Sequence, residues 1–363
     1  MAGKMNKKLV LENGAVYCGY GFGANVASAV CEIVFNTSMV GYQEIVSDPT
    51  YAGAAVVMTY PLIGNYGITD EDYEAKAPTV GALIVREYND FPSNFRYTKT
   101  LTEYLDENGI PGIYGMDTRA LTRAIRDGGV CKAVIVDIDM PTEEALALIK
   151  NAELSANPVA DVTCKKRWYA RTANAKLSVV VIDCGVKLST VRTLNTMGCN
   201  VTILPATATA ADVEMMQPDG VLVSQGPGNP ENAAYVAELI KAIRGKYPMF
   251  GIGLGCQLIA LAYGAKTYKM KFGHHGCNHP VKNLATGKME TVAENYGYSI
   301  EAESLASTDL DATYVDIIDG TVAGVACKED KVFAVQYEPN TTSGPEGRKN
   351  LYEEFTALMK EGK

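Results

Sequence analysis

Two glycine-rich segments in the C-terminal half of this 363-residue chain have residue types and spacing suited to chemistry. The first, residues 224–230, reads Ser-Gln-Gly-Pro-Gly-Asn-Pro and lies between a predicted strand and a predicted helix. Its glycines leave backbone N–H groups uncovered, so the loop could donate hydrogen bonds to a carbonyl oxygen or an oxyanion. A tight connection that binds nothing fits these residues equally well.

The second segment, residues 250–257, reads Phe-Gly-Ile-Gly-Leu-Gly-Cys-Gln and predicts a strand, a sharp turn and a helix. A Gly-x-nucleophile-x-Gly turn raises one side chain above a sheet at a helix N-terminus, where the helix dipole lowers the pKa of a thiol. Gly251 and Gly255 supply the flanks, but the apex is Gly253, which carries no nucleophile. Phosphate binding by this glycine run is less favoured, because a dinucleotide-binding fingerprint belongs at the first strand–helix turn, here residues 183–185.

The chain contains three histidines, His274, His275 and His279, so a mechanism that needs a histidine elsewhere is excluded. Together with Cys277 they offer zinc ligands, since histidine and cysteine are the usual ones. Their spacing fits no standard four-ligand zinc motif, and we therefore predict no metal site. His275 and His279 are interpreted as structural hydrogen-bonding residues.

The composition is that of an ordinary globular protein and argues against several functional classes. The chain has 33 basic and 42 acidic residues, and its formal net charge of −9 argues against binding to nucleic acid or to an anionic membrane surface. The nine cysteines are scattered singly, as expected for reduced intracellular thiols. No stretch resembles a signal peptide or approaches the roughly 20 apolar residues of a membrane span. We therefore expect a cytoplasmic protein.

The two loops need a sheet to position them, and the C-terminal part of the chain predicts one. Residues 1–150 mix short strands and helices, including helices at 100–108 and 118–126, and residues 151–177 are a predicted linker of weak periodicity. In residues 178–363 continuous apolar strands alternate with helices, which indicates a parallel, doubly wound sheet. The predicted strands are 177–182, 200–204, 220–223 and 249–252, and the predicted helices are 186–197, 211–216, 233–243 and 254–262. Ligands bind such a sheet beyond the carboxyl ends of its strands, where residues 183–187, 224–230 and 253–257 lie.

These motifs, in this order, resemble the small subunits of carbamoyl phosphate synthetases, which are class I glutamine amidotransferases. The resemblance runs from about residue 8 to 358; it rests on segments 35–44, 59–65, 93–96, 117–119, 224–230, 250–257, 269–275, 278–281 and 335–337. It implies an α/β fold with an N-terminal α/β domain and a C-terminal flavodoxin-like amidotransferase domain, whose doubly wound sheet is mainly parallel. In that family the small subunit hydrolyses glutamine and supplies ammonia to a large subunit, which makes carbamoyl phosphate for arginine and pyrimidine synthesis.

The family's catalytic triad is a cysteine nucleophile, a histidine base and a glutamate that orients the histidine. By resemblance these three positions are Gly253, Glu338 and Asn340 in this chain, so each is substituted. We therefore predict a chain that is impaired as a glutaminase. The cysteine nearest in sequence to the apex is Cys256; its use as a substitute nucleophile is a minor alternative, because three residues of helix rotate it away from the apex and favour a buried thiol.

The positions that resemble the family's glutamine contacts match the family better than the three triad positions do. They are Ser38, Gly226, Gly228, Leu254, Gln257, Asn295, Gly297 and Tyr298, and the N–H of Leu254 with the Gly228 region would form the oxyanion hole. Departures nearby are Asn229, Glu294 and Tyr296, where the family commonly has aspartate, glutamine and histidine. The resemblance also implies a large-subunit partner that carries the ATP and magnesium chemistry, with no cofactor in this chain. A non-catalytic glutamine sensor, or a structural partner of an ammonia-using synthetase, remains the alternative function.

Overall fold

The computed structural model describes residues 4–339 and 347–361 of the chain. It divides the chain into two compact units, Met1–Ala156 and Asn157–Lys363. Asn340, at the predicted position of the orienting acid, lies outside the described residues.

The first unit is built on a closed β-barrel in the order β1-β2-β8-β6-β4-β3-β9. Its strands include parallel and antiparallel neighbours: β3, β4, β6 and β8 are successively parallel, and the remaining pairs are antiparallel. The strands of this unit are β1 (Lys7–Leu11), β2 (Val16–Gly23), β3 (Cys31–Asn36), β4 (Ala54–Met58), β5 (Leu62–Ile63), β6 (Ala82–Ile84), β7 (Glu87–Tyr88), β8 (Pro111–Tyr114) and β9 (Cys131–Asp137). Closure leaves the barrel without an unpaired edge.

The helices of the first unit are α1 (Tyr42–Ser47), α2 (Leu101–Glu107), α3 (Thr118–Gly128) and α4 (Thr142–Asn151). Local sequence explains where two of them begin. Thr100 and Glu103 form a capping box at the start of α2, and the carboxylate of Asp117 accepts a hydrogen bond from the N–H of Ala120 at the start of α3. Both predicted helices are therefore confirmed to within about two residues.

The second unit contains one large sheet flanked by helices. Its strands are β10 (Trp168–Ala170), β11 (Leu177–Asp183), β12 (Cys199–Pro205), β13 (Gly220–Val223), β14 (Met249–Ile252), β15 (Thr267–Asn283), β16 (Met289–Ile300), β17 (Asp311–Asp316), β18 (Val322–Cys327) and β19 (Val332–Val335). Its helices are α5 (Pro158–Val162), α6 (Leu188–Thr196), α7 (Ala210–Met215), α8 (Ala234–Ile243), α9 (Leu254–Ala262) and α10 (Gly347–Glu361). Among the described residues the sheet has ten strands, in the order β10-β12-β11-β13-β14-β19-β18-β17-β15-β16.

The centre of this sheet is the predicted doubly wound structure. Strands β12, β11, β13, β14 and β19 are parallel neighbours, and the four strands predicted from apolar runs are all among them. Alternate residues of β11 enter different cores: Val180 and Ile182 pack in one cluster, and Val179 and Val181 in the other. Both faces of the central strands are therefore buried, which is why these strands read as continuous apolar runs.

Beyond β19 the sheet continues as four antiparallel strands that the sequence did not predict. The long hairpin of β15 and β16 forms its outer edge, and its pairing is interrupted by register shifts after Lys269 and after Gly276. Many residues of β15 are exposed, so the strand has no continuous apolar run to reveal it. The predicted parallel arrangement thus describes the centre of the sheet and not this extension.

The predicted linker, residues 151–177, is shorter in the structure than in the prediction. The division between the units falls after Ala156, and α5 and β10 already belong to the second unit. Strand β10 pairs antiparallel with β12. Elements of three to five residues are too short to show a period in sequence, and tertiary pairing determines them.

Across the described ranges, no helix combines the length and the apolar character needed to cross a membrane.

The aromatic core of the second unit can be tested at Phe250, which is fully buried and stacks on Phe333 at 4.6 Å between ring centroids. We expect Phe250→Ala to lower the free energy of unfolding by about 3–5 kcal/mol, because it removes a large buried side chain and leaves a cavity. Trp168 is the only tryptophan and lies in the second unit, so its fluorescence during urea unfolding reports on this unit. Met215→Ala is the control, since that side chain is 67% exposed and its loss should change stability by less than about 0.5 kcal/mol. Equal effects of the two substitutions would contradict this assignment of the core.

Candidate functional site

The predicted sharp turn lies between the end of β14 and the start of α9. Gly253 occupies it with φ 57° and ψ −117°, a conformation that disfavours side chains, and its N–H donates to the carbonyl oxygen of Val335 at 2.8 Å. A Cβ at Gly255 would lie 2.1 Å from the carbonyl oxygen of Val223, so this flank must be glycine. The backbone therefore has the form of a nucleophile elbow although its apex has no side chain.

There is space at the apex for a small side chain. A Cβ built on Gly253 would meet the Cβ of Gln225 at 3.1 Å and the carbonyl oxygen of Gln336 at 3.9 Å. The first contact is tight but involves a side-chain atom, and a shift of a few tenths of an ångström would relieve it. The elbow is thus compatible with a cysteine at the cost of backbone strain.

The glycine–proline loop after β13 lies directly beside this elbow. The hydroxyl of Ser224 accepts a hydrogen bond from the N–H of Cys184 at 2.9 Å, which ties the loop to the neighbouring strand–helix turn. A Cβ at Gly226 would lie 3.0 Å from the side chain of Leu254, the first residue of α9. The structure therefore brings together Gly226 and Leu254, two of the predicted glutamine contacts. Gly228 follows with φ +86°, close to Pro158 of α5.

Gln257 connects the elbow helix to the hairpin strand β16. Its side-chain Nε2 donates to the carbonyl oxygen of Tyr298 at 2.6 Å and to Oε1 of Gln336 at 2.9 Å. Gln336 in turn donates to the hydroxyl of Ser299 at 2.9 Å. The structure thus brings the predicted residues Gln257 and Tyr298 together and gives Gln257 a bracing role.

Asn295 and Gly297 lie on the same strand, facing β15. Nδ1 of His275 donates to Oδ1 of Asn295 at 2.6 Å, and burial lowers the pKa of His275 to about 4, so its imidazole is neutral. A Cβ at Gly273 would lie 3.1 Å from the Cα of Gly297. These contacts agree with a structural hydrogen-bonding role for His275.

Ser38, the remaining predicted glutamine contact, belongs to the first unit. It is buried just after β3, and its N–H donates to Oδ1 of Asn36 at 2.7 Å. The other seven predicted contacts lie in the second unit.

Glu338, at the predicted base position, is held in the wall of the site by ionic and backbone contacts. Its N–H donates to the carbonyl oxygen of Ala293 at 2.8 Å, and its Oε2 lies 3.6 Å from Nζ of Lys187. The two charged side chains are only 5% and 8% exposed. Lys187 precedes α6 in the turn after β11 and was missed from the sequence, where the only signal was its place in a predicted ligand loop. A buried carboxylate paired with an ammonium group is stabilised in its ionised form and is a weak base toward a thiol.

Cys256 does not offer a substitute nucleophile. Its side chain is fully buried among the apolar residues on one face of the sheet. Burial also raises the pKa of its thiol far above the ordinary range, which disfavours the reactive thiolate. This agrees with the expectation of a buried thiol and leaves the described part of the elbow without a reactive sulfur.

The prediction of no metal site rested on spacing along the chain and on the family resemblance, and the structure adds residues that neither could reveal. His274 and His279 of β15 lie beside Glu294 of β16 and Asp316 of β17, with one ligand atom of each within 4.8 Å of the others. Cys277, between the two histidines in sequence, is not part of this group. The sequence feature that could have indicated this group is Glu294, which in the sequence alone is only a departure from the glutamine common in the family.

Fold and site together have the architecture of a glutamine amidotransferase of the triad type. Residues 180–358 match the glutamine amidotransferase class-I family, and residues 9–135 match the CPSase domain of the carbamoyl-phosphate synthase small chain. The chain belongs to the carbamoyl-phosphate synthase small chain family.

Similar proteins extend over nearly the whole chain. The carbamoyl phosphate synthase small chain of Fusobacterium nucleatum is 48% identical over 96% of this chain and 97% of its own length. That of Staphylococcus epidermidis is 47% identical over 98% of this chain and 96% of its own length. That of Bacillus caldolyticus is 46% identical over 98% of this chain and 97% of its own length. The predicted two-domain fold is thereby confirmed.

The ion pair at the base position predicts a specific pattern of stability. Lys187→Met should destabilise the second unit by about 3–5 kcal/mol, because it removes the ammonium group that is paired with the buried carboxylate of Glu338. Adding Glu338→Gln should recover much of that loss, because the amide carries no charge. Urea unfolding followed by Trp168 fluorescence measures both. Additive losses in the double variant would show that the two charges do not interact.

Proposed function

We propose that this chain is a carbamoyl phosphate synthetase small subunit that has lost glutamine hydrolysis and acts as a non-hydrolytic partner of the large subunit. The observation that supports this most directly is the elbow: Gly253 holds a nucleophile's backbone conformation without a nucleophile. The ion pair of Glu338 with Lys187 supports it independently, because the position of the base carries a paired carboxylate.

Hydrolysis of glutamine by a triad enzyme needs a thiolate to attack the amide carbon and a donor pair to stabilise the oxyanion. It also needs an acid to protonate the departing nitrogen, which leaves as ammonia, and a water molecule to cleave the resulting thioester and release glutamate. In this chain the backbone N–H of Leu254 and the neighbouring glycine loop would serve as donors. The attacking sulfur is missing, and no imidazole lies at position 338 to move the proton. Only binding and oxyanion stabilisation would remain, and these account for a small part of a triad enzyme's rate.

The proposed role is therefore to dock on a large subunit that uses free ammonia. The names of the similar proteins, all small chains of carbamoyl phosphate synthase, support a large-subunit partner. ATP and magnesium would be held by that partner. This chain would bind the large subunit through its folded units, and its cleft would have no catalytic activity.

A second candidate function is glutamine sensing, and the retained cleft favours it. Gly226 and Leu254 meet at the elbow, and the strand with Asn295, Gly297 and Tyr298 is braced through Gln257. A cleft with these contacts would bind glutamine without consuming it. Calorimetry with glutamine separates the two candidates, because saturable binding without heat of hydrolysis supports sensing and its absence supports a purely structural partner.

The loss of hydrolysis predicts that the purified chain releases no glutamate from glutamine above background, with or without its large subunit. The triple variant Gly253→Cys, Glu338→His and Asn340→Glu restores all three residue types and should raise glutamate release by at least about 100-fold, a fraction of the roughly 10⁶ that a triad contributes. Enzyme-coupled detection of glutamate measures both.

The single variant Gly253→Cys is the matched control for this repair. It introduces the thiol but leaves Glu338 paired with Lys187, and we expect it to remain inactive. Its strained φ should also lower stability by about 1–3 kcal/mol. Glutamate release by the unaltered chain at an ordinary enzymatic rate, about 1–1000 s⁻¹, would overturn the proposed function.

A further inference from the structure

We propose that His274, His279, Glu294 and Asp316 form a structural zinc site that joins strands β15, β16 and β17. The proposal is independent of the proposed function, because it concerns the antiparallel extension of the sheet and not the elbow. It departs from the prediction of no metal site, which rested on the spacing of the ligands and on the resemblance to a family in which no metal is expected.

The positions of the four ligand atoms suit a single small cation. Nδ1 of His279 lies 3.3 Å from Oδ2 of Asp316 and 3.4 Å from Oε2 of Glu294. Nδ1 of His274 lies 3.8 Å from Oδ2 of Asp316. Zinc bonds of about 2.0–2.1 Å in a tetrahedron place neighbouring ligand atoms about 3.3 Å apart. The pair of His274 with Glu294, at 2.6 Å, is the one that would need to widen.

Burial and charge give a second reason. The carboxylates of Glu294 and Asp316 are both fully buried, and burying two carboxylates close together is costly unless positive charge, from a protonated histidine or from a metal ion, balances them. Within the described residues, Oε1 of Glu294 has no hydrogen-bond partner. Two neutral imidazoles, the two carboxylates and a divalent cation would together leave this cluster electrically neutral.

The surrounding hydrogen bonds orient the ligands as they do in known zinc sites. Nε2 of His274 lies 2.9 Å from Oδ2 of Asp319, so its N–H can donate to this carboxylate while Nδ1 faces the cluster. Oδ1 of Asp316 accepts from the N–H of Ile318 at 2.6 Å, which leaves Oδ2 toward the histidines. The hydroxyl of Tyr296 donates to Oε2 of Glu294 at 2.8 Å.

The ligand set points to zinc in a structural role. Two imidazole nitrogens and two carboxylate oxygens suit a borderline metal better than calcium or magnesium, which prefer oxygen ligands alone. Four protein ligands close a tetrahedral site and leave no position for a substrate. The ion would fasten three strands together next to the part of β16 that carries Asn295, Gly297 and Tyr298.

The test is metal content and affinity of the full chain. After removal of metals by a chelator and addition of zinc, we expect one zinc per chain by plasma mass spectrometry and a higher melting temperature. Replacement by Co²⁺ should give the visible absorption of a tetrahedral site. Glu294→Gln, which keeps the shape of the side chain, should weaken zinc binding at least 100-fold in competition with a coloured chelator.

Two further variants keep the test decisive if Glu294→Gln fails to fold. Asp319→Asn changes the partner of His274, keeps an oxygen that can accept from Thr321, and should weaken zinc affinity about 10–100-fold. Cys277→Ser, on the same strand but outside the four, should leave affinity unchanged. The proposal would be overturned if the unaltered chain held no more zinc than Glu294→Gln, or if the unaltered chain and Glu294→Gln bound zinc with equal affinity. Tighter binding of magnesium than of zinc by the unaltered chain would also overturn it.

Discussion

The close approach of β13, β14 and α9 is the physical constraint on which the rest of the second unit depends. A single residue separates the end of the strand from the start of the helix, and the helix begins so close to the neighbouring strand that a Cβ at Gly255 would overlap the carbonyl oxygen of Val223. Only glycine can occupy such a position, and only a residue that tolerates φ 57° can occupy the apex. The sharp turn therefore persists as a property of the backbone and does not require the chemistry that it could serve.

The same separation between scaffold and chemistry is visible at the base position. Glu338 is fixed by its backbone to Ala293 and by its carboxylate to Lys187, so the wall of the cleft stays ordered. An ion pair can stabilise such a wall, but it cannot exchange a proton with a thiol as an imidazole does. Under the proposed function, this chain keeps the backbone that would position a reaction, while Gly253 and Glu338 would not carry it out.

The sequence was informative where one local rule determines the structure. The strand before Gly253 and the helix after it were predicted at their observed bounds, because an apolar run, a glycine pair and a second apolar run leave few alternatives. The barrel of the first unit was not predicted, because its order joins strands distant in sequence such as β2 and β8. The cluster of His274 with Glu294 and Asp316 was missed for the same reason: its members lie on three strands whose pairing no local pattern reveals.

Strand β10, which lies in the segment predicted as a linker, covers one edge of the large sheet. Without it β12 would be the last strand of the sheet, with one row of N–H and C=O groups open to other molecules. The residues Trp168, Tyr169 and Ala170 pair with that row in the antiparallel sense. A three-residue edge strand is too short to recruit a further strand readily, so this segment of the second unit protects the sheet against edge-to-edge aggregation.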